Sequence, residues 1–153
     1  MQFIDQHFPL IVTLSGKEID AGEVQALSDG FEKYFARGER YTVLNLTPPD
    51  FRVPDHAGRE MMSKWVNHPR VRDFTKRLCV GGVSVNGSVL YRVAFNVVVA
   101  FQKPAAPIHC VGSLEQALDY CFDRMRAERL PTPKALDMMR YEVTDQLKRV
   151  GYS

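Results

Sequence analysis

Cysteine is scarce in this chain. Cys79, Cys110 and Cys121 are odd in number and widely spaced among 153 residues, which excludes a disulfide framework. They read as reduced, mostly buried thiols. Long hydrophobic runs are missing as well. The longest apolar stretch, Val89 to Phe101, is interrupted by Arg92 and Asn96, and nothing approaches the ~20 apolar residues of a spanning helix. No membrane insertion is expected. The opening residues, MQFIDQHFPLIVTLSG, carry an acidic residue and a proline and have no basic segment before an apolar one. That is not a secretory leader, so the default expectation is a cytoplasmic location. An excess of one charge is also absent: the net charge is +2, and acidic and basic residues alternate along the chain. Such a surface offers no stripe for nucleic acid.

The common catalytic signatures are absent too. There is no P-loop, no Gly-x-Gly-x-x-Gly and no Gly-x-Ser-x-Gly elbow. His7, His56, His68 and His109 show no zinc-like spacing with the cysteines, and His109 and Cys110, adjacent on a strand, point to opposite faces. No metal or cofactor is expected, and the chain does not read as an enzyme.

What is present is an ordinary globular composition, 45% hydrophobic and 25% charged, in a length that suits one core. Phe8 to Leu14 is a short apolar run closed by Ser15-Gly16, a buried-strand signal. Asp20 and Glu23 form a capping box before a helix with Val24, Leu27, Phe31, Tyr34 and Phe35 on one face, and Gly38 ends it. Tyr41 to Leu46 is the second strand. Asp55 caps a helix bearing Met61, Met62, Trp65 and Val66, which His68-Pro69 breaks. A short helix from Val71 to Leu78 and a third strand from Cys79 to Val85 follow.

The next segment has two readings. Asn86-Gly87 is a strong hairpin dipeptide, and alternate residues from Val89 to Phe101 would then line one face of a strand. Read as a helix, Val89, Val93, Val97 and Phe101 recur at steps of four, with Leu90, Ala94 and Val98 beside them. Length favours the helix and β-branching the strand. Pro107 to Val111 is the fourth strand. Ser113 and Gln116 form another capping box, ahead of a helix that buries Leu114, Ala117, Leu118, Cys121, Phe122 and Met125.

The alternation predicts an α/β domain over residues 1–130: a mostly parallel four-stranded sheet with helices packed on it. Residues 131–153 form a C-terminal helical extension beyond the break at LPTPK, with its helix from about Pro133 to Val150. Its stripe of Leu136, Met139, Val143, Leu147 and Val150 has two destinations, its own sheet and helices or a partner. As a partner surface it would make a two-fold homodimer natural.

In open α/β sheets, working residues sit at the carboxyl ends of strands. The stretch TVLNLTPPDFRVPDHAG from Thr42 leads from such an end into a proline-rich loop. Loops of that length are often functional. Phe51 and Arg52 have the character of interface anchors. Asp55 and His56 read either as a base-and-orienter pair or as an N-cap and an exposed first turn. Arg92 reads as a solvent-facing charge or as an anion contact, and with Ser15 it is the candidate for a small ligand at the strand ends.

Four segments, FPLIVTLSG, FARGERYTVLNL, DHAG and IHCVGSLEQALDY, span roughly residues 8 to 126. With the order of elements, they resemble the STAS-like class, the anti-sigma-factor antagonist fold, and a bacterial branch of it. The resemblance implies a non-catalytic protein-interaction module in signalling or regulation, binding a protein partner. In antagonists of this class, an Asp-Ser pair opens the helix after the loop, and a partner kinase phosphorylates the serine. The resemblance sets Asp55-His56 on that pair and Gly58 on the glycine that follows. Position 56 is histidine, so the usual phosphoacceptor is missing, and Asn45 stands where an aspartate often ends the strand. Lipid- and nucleotide-binding relatives of the general fold imply the alternative, a small-molecule binder or enzyme using the cleft near Asp55 and His56.

Overall fold

The computed structural model describes residues 1–52 and 54–152. Its strands are β1 (Gln2–Ile4), β2 (Leu10–Leu14), β3 (Tyr41–Leu46), β4 (Cys79–Val85) and β5 (Ile108–Val111). Its helices are α1 (Ala21–Arg37), α2 (His56–Asn67), α3 (Pro69–Leu78), α4 (Val89–Gln102), α5 (Leu114–Ala127) and α6 (Leu136–Arg149). The fold is α/β, and the strands form one sheet in the order β1-β2-β3-β4-β5.

The expectation of four strands is corrected to five. β1 pairs antiparallel with β2, Phe3 opposite Thr13, while β2 to β5 run parallel. Three residues at a sheet edge are too few to show an alternation, which is why β1 left no sequence signal. It splits its side chains between two cores: Ile4 joins one, and Phe3 packs against Phe31 and Tyr34 in the other.

Parallel strands laid down in sequential order, with right-handed crossovers, send every connecting helix to the same face. α1, α2 and α3 share that face. Ile11, Leu27, Phe31, Tyr34, Phe35, Tyr41, Val71 and Leu78 form its buried core. Phe31 is the hub, with ring centroids 5.6 Å from Phe3, 5.8 Å from Tyr34 and 5.9 Å from Trp65. Each such aromatic pair is worth about 1 kcal/mol beyond its buried area.

The opposite face is left to whatever follows β5. α5 and α6 cover it, burying Leu10, Val12, Leu44, Leu46 and Val83 beneath Leu118, Cys121, Met125, Met139, Val143 and Leu147. The helix that was expected to be an extension is therefore one of the two that close the core. Met139, Val143 and Leu147 are each 1% exposed, and Leu136 packs partly buried against the same cluster. As partner-binding residues, these four are corrected to core residues, because their stripe is already spent on the sheet.

The segment after Asn86-Gly87 is helical. Ser88 caps α4, accepting from the Tyr91 N–H at 3.3 Å. α1 ends at Gly38, whose φ of 69° is the left-handed conformation that glycine adopts without penalty. Asp20 accepts from the Glu23 N–H at 2.9 Å, but Glu23 does not complete the capping box. Its carboxylate instead takes the Gly16 N–H at 3.1 Å and the amino terminus at Met1.

Candidate functional site

The carboxyl ends of β2, β3 and β4 are tied together by side chains. Asn45 sits at the centre: its Oδ1 accepts from Thr13 Oγ1 and Ser15 Oγ, both at 2.9 Å, and its Nδ2 donates to Ser84 Oγ at 3.1 Å. Thr47 donates to the Val85 carbonyl at 2.7 Å and accepts from Asn86 Nδ2 at 3.2 Å. Among the described residues, no buried side-chain nitrogen or oxygen lacks a partner. Buried networks that are complete in this way fix strand register and offer no free group to a ligand. Ser15 is buried and belongs to this network.

The loop after β3 leaves from this fixed base. Phe51 N–H closes a turn onto the Pro48 carbonyl at 3.0 Å, and Arg52 N–H donates to the Lys17 carbonyl at 2.6 Å. Lys17 pairs with Asp50 at 2.6 Å, and this hydrogen bond holds the Asp50 carboxyl below its ordinary range. The loop is thus stitched to the β2–α1 loop. Phe51 is half-buried, and its ring meets Tyr91 of α4 edge-on at 5.8 Å; the Arg52 side chain is exposed. Val53 lies outside the described residues.

Asp55 is the N-cap of α2, its Oδ1 accepting from the Gly58 N–H at 2.7 Å. A cap of this kind contributes about 1 kcal/mol. His56 is exposed in the first helical position. Gly58 is there because the backbone passes close by: a Cβ would stand 2.1 Å from the Ile19 carbonyl oxygen. The Asp-His-Ala-Gly segment therefore has a packing reason for its aspartate and glycine, and none for its histidine.

Arg92 does not face solvent as a free charge. Its Nη1 donates to the carbonyls of Asn86 and Gly87, both at 2.9 Å, and its guanidinium lies against Gly112. It ties the start of α4 to the β4 and β5 ends. The structure thus brings Phe51, Arg52, Asp55 and His56 onto one loop and helix start. It engages Ser15 and Arg92 in separate internal contacts. Two surface cavities, about 210 and 390 Å³, lie elsewhere and share Gln6, His7 and Glu142. There His7 Nε2 is 2.8 Å from Gln146 Oε1, which fastens the amino-terminal segment to α6.

Among the described residues, no group of three or more His, Cys, Asp or Glu is arranged to hold a metal ion, and no helix is long and apolar enough to cross a membrane. The three cysteines are free. Burial pushes the Cys121 thiol up to about 12, against a smaller opposing hydrogen bond from Thr42. Such a thiol is inert at neutral pH.

Sequence reasoning missed the outer face of α4. The helix lies along the open edge of β5, where the Asn96 side chain serves as a substitute strand partner. Its Oδ1 accepts from the Cys110 N–H at 2.9 Å and its Nδ2 donates to the Cys110 carbonyl at 3.2 Å. Tyr91, Phe95 and Val99 turn partly inward. The remaining apolar residues face outward: Val89, Leu90, Val93, Val97, Val98 and Phe101 are exposed, Leu90 by 80% and Phe101 by 83%. Arg92 is the single charged residue of the helix, and it is turned to its own backbone. The signal was present in the sequence, since a helix that is apolar all round needs cover on every side.

Comparison with family models, with curated proteins and with solved structures gave no match to this chain.

Proposed function

We propose that the chain is a non-catalytic protein-interaction module of bacterial signalling or regulation, built on a STAS-like plan and working without the phosphoacceptor serine. One observation carries this reading. A braced, proline-rich loop with an exposed arginine joins, through the Phe51–Tyr91 contact, a helix whose outer face is apolar and uncovered. Monomeric proteins rarely leave such a surface open unless something binds it. The loop is held by its neighbours before any partner arrives, which lowers the entropy lost on binding.

The residues that would carry chemistry are otherwise engaged. Asp55 caps a helix, Ser15 serves Asn45, and Arg92 holds two carbonyls. His56 occupies the position of the phosphoacceptor, where a histidine leaves a fixed binding edge in place of a serine-operated switch. Partner contact is assigned to Phe51, Arg52 and His56 at this edge, with Asp55 setting the start of the helix.

The test is capture from bacterial extract on the immobilised full chain, compared with a Phe51→Ala/Arg52→Glu double variant whose circular dichroism is unchanged. The expected result is a defined protein retained by the wild-type chain and reduced at least tenfold on the variant. Identical retention by both would overturn the reading of this loop.

A further inference from the structure

We propose that the outer face of α4 is covered by a second copy of this chain, in a two-fold dimer with α4 packed against α4. The inference rests on the interaction-module reading and names one partner within it. Leu90, Ala94, Val97 and Phe101 are spaced by four, three and four residues, the step pattern of a coiled-coil seam. All four are exposed, and Val93 and Val98 flank them.

The area suits a dimer of this size. The exposed apolar side chains of α4 present on the order of 600 Å² per chain, so two copies together approach the lower bound of about 1,200 Å² for a specific interface.

The chemistry of the face selects its occupant. Its six large exposed side chains, Val89, Leu90, Val93, Val97, Val98 and Phe101, carry no charge and no hydrogen-bonding group to select a different protein by complementarity. The amide of Asn96, an exposed residue of the same helix, is engaged by Cys110. A neutral apolar ridge with a small residue, Ala94, among larger ones is complementary to itself, which is the requirement of an isologous two-fold contact. A helix lying on a membrane surface is instead bordered by Lys and Arg. Here the one arginine within the helix is spent on the Asn86 and Gly87 carbonyls. The exposed basic residues near it are Lys103 at its C-cap and Arg52 beside Phe51, one toward each end rather than a row along its length. The Asn96 clasp and the Arg92 contacts hold α4 on its own sheet, so the helix is available as a preformed surface.

The experiment is light scattering after size exclusion on the full chain, across ~1 to 100 µM, with Val97→Lys and Leu90→Gln/Phe101→Gln as variants and Met138→Lys as a control. Met138 is an exposed apolar residue on α6, away from this face. The expected result is a doubled mass that dissociates on dilution. Val97→Lys and the double variant should weaken it at least tenfold and keep native circular dichroism, while Met138→Lys keeps the wild-type mass. The Gln variant keeps the experiment decisive if the buried charge of Lys disturbs the helix.

A monomer at every concentration overturns the dimer. So does a dimer that the α4 variants do not dissociate, whether or not Met138→Lys does. Cosedimentation of a monomeric chain with phosphatidylcholine–phosphatidylglycerol vesicles, lost in Val97→Lys, would assign the face to lipid and also overturn it. In either monomeric case, a protein captured through Phe51 and Arg52 would leave the interaction-module reading standing.

Discussion

α4 and α6 are both fourteen residues long, and their compositions point the opposite way from their positions. α6 carries six charged residues, Asp137, Arg140, Glu142, Asp145, Lys148 and Arg149, yet its narrow stripe closes the core. α4 carries one, Arg92, yet most of its apolar residues face outward. Topology explains the difference. Among the described residues, α1, α2 and α3 cover one face of the sheet, and α5 and α6 cover the other. α4 is the last crossover and lies along the edge strand β5, with no further helix beyond it among the described residues. A helix is buried by what its neighbours leave uncovered, and its own hydrophobicity does not decide this.

The largest break in the comparison comes from removing α6. A chain ending at Leu130 exposes the Leu44, Leu46 and Met125 layer that Met139, Val143 and Leu147 cover. It is expected to lose its cooperative thermal transition by circular dichroism. A folded truncated chain would return α6 to the status of an appendage.

Single truncations sharpen the contrast. Leu147→Ala should cost about 2–5 kcal/mol in urea unfolding, as a cavity in a packed core does. Leu90→Ala, measured at a concentration where the chain is monomeric, should change stability by less than about 0.5 kcal/mol. Equal costs would mean that α4 is as covered as α6.

Asn96 tests how α4 is held. Asn96→Ala leaves the Cys110 N–H and carbonyl on the β5 edge without their side-chain partner. The expected loss is about 1–3 kcal/mol, with faster amide exchange at Cys110. Unchanged exchange there would show that packing alone holds the helix.

The last difference is one of pH: it gives no slope at neutral pH and emerges only as the pH becomes alkaline. The Cys121 thiol, on the buried face of α5, is pushed up to about 12 by burial. An unfolded thiol titrates near ~8.5. The folded state thus favours the neutral form, and this contribution is fully present below about pH 8.5. It is lost as pH rises toward 12, at up to ~1.4 kcal/mol per pH unit. Cys121→Ala should remove that part of the alkaline slope in urea unfolding. An unaltered slope would assign it elsewhere, with Cys79, pushed up to about 11 by burial, the first alternative and Tyr34, raised to about 12 by burial, the next.

Much of the fold was legible because local rules and tertiary needs agreed. β3 and β4 fall where the apolar runs from Tyr41 and Cys79 put them, and Asp20, Asp55 and Ser113 cap the helices that they precede. α4 was ambiguous for a physical reason: its run of Val, Leu and Phe satisfies period two and period four together. Ser88, which caps the helix, settles it. β1 was invisible because three residues carry no period. The stripe on α6 was legible, but its destination was not, since periodicity shows which residues share a face and not what covers that face. For the candidate site, the loop and the cap at Asp55 were readable. The roles of Asn45, Ser15 and Arg92 were not, because hydrogen bonds between strand ends join residues about thirty or more positions apart, and Arg92 reaches back to carbonyls that no sequence pattern marks.

The most direct measurement is hydrogen–deuterium exchange on the full chain at ~1 and ~100 µM. The account predicts that α6 is protected at both concentrations, while α4 gains protection only at the higher one. Protection that rises with concentration in α6, with α4 unchanged, would contradict it.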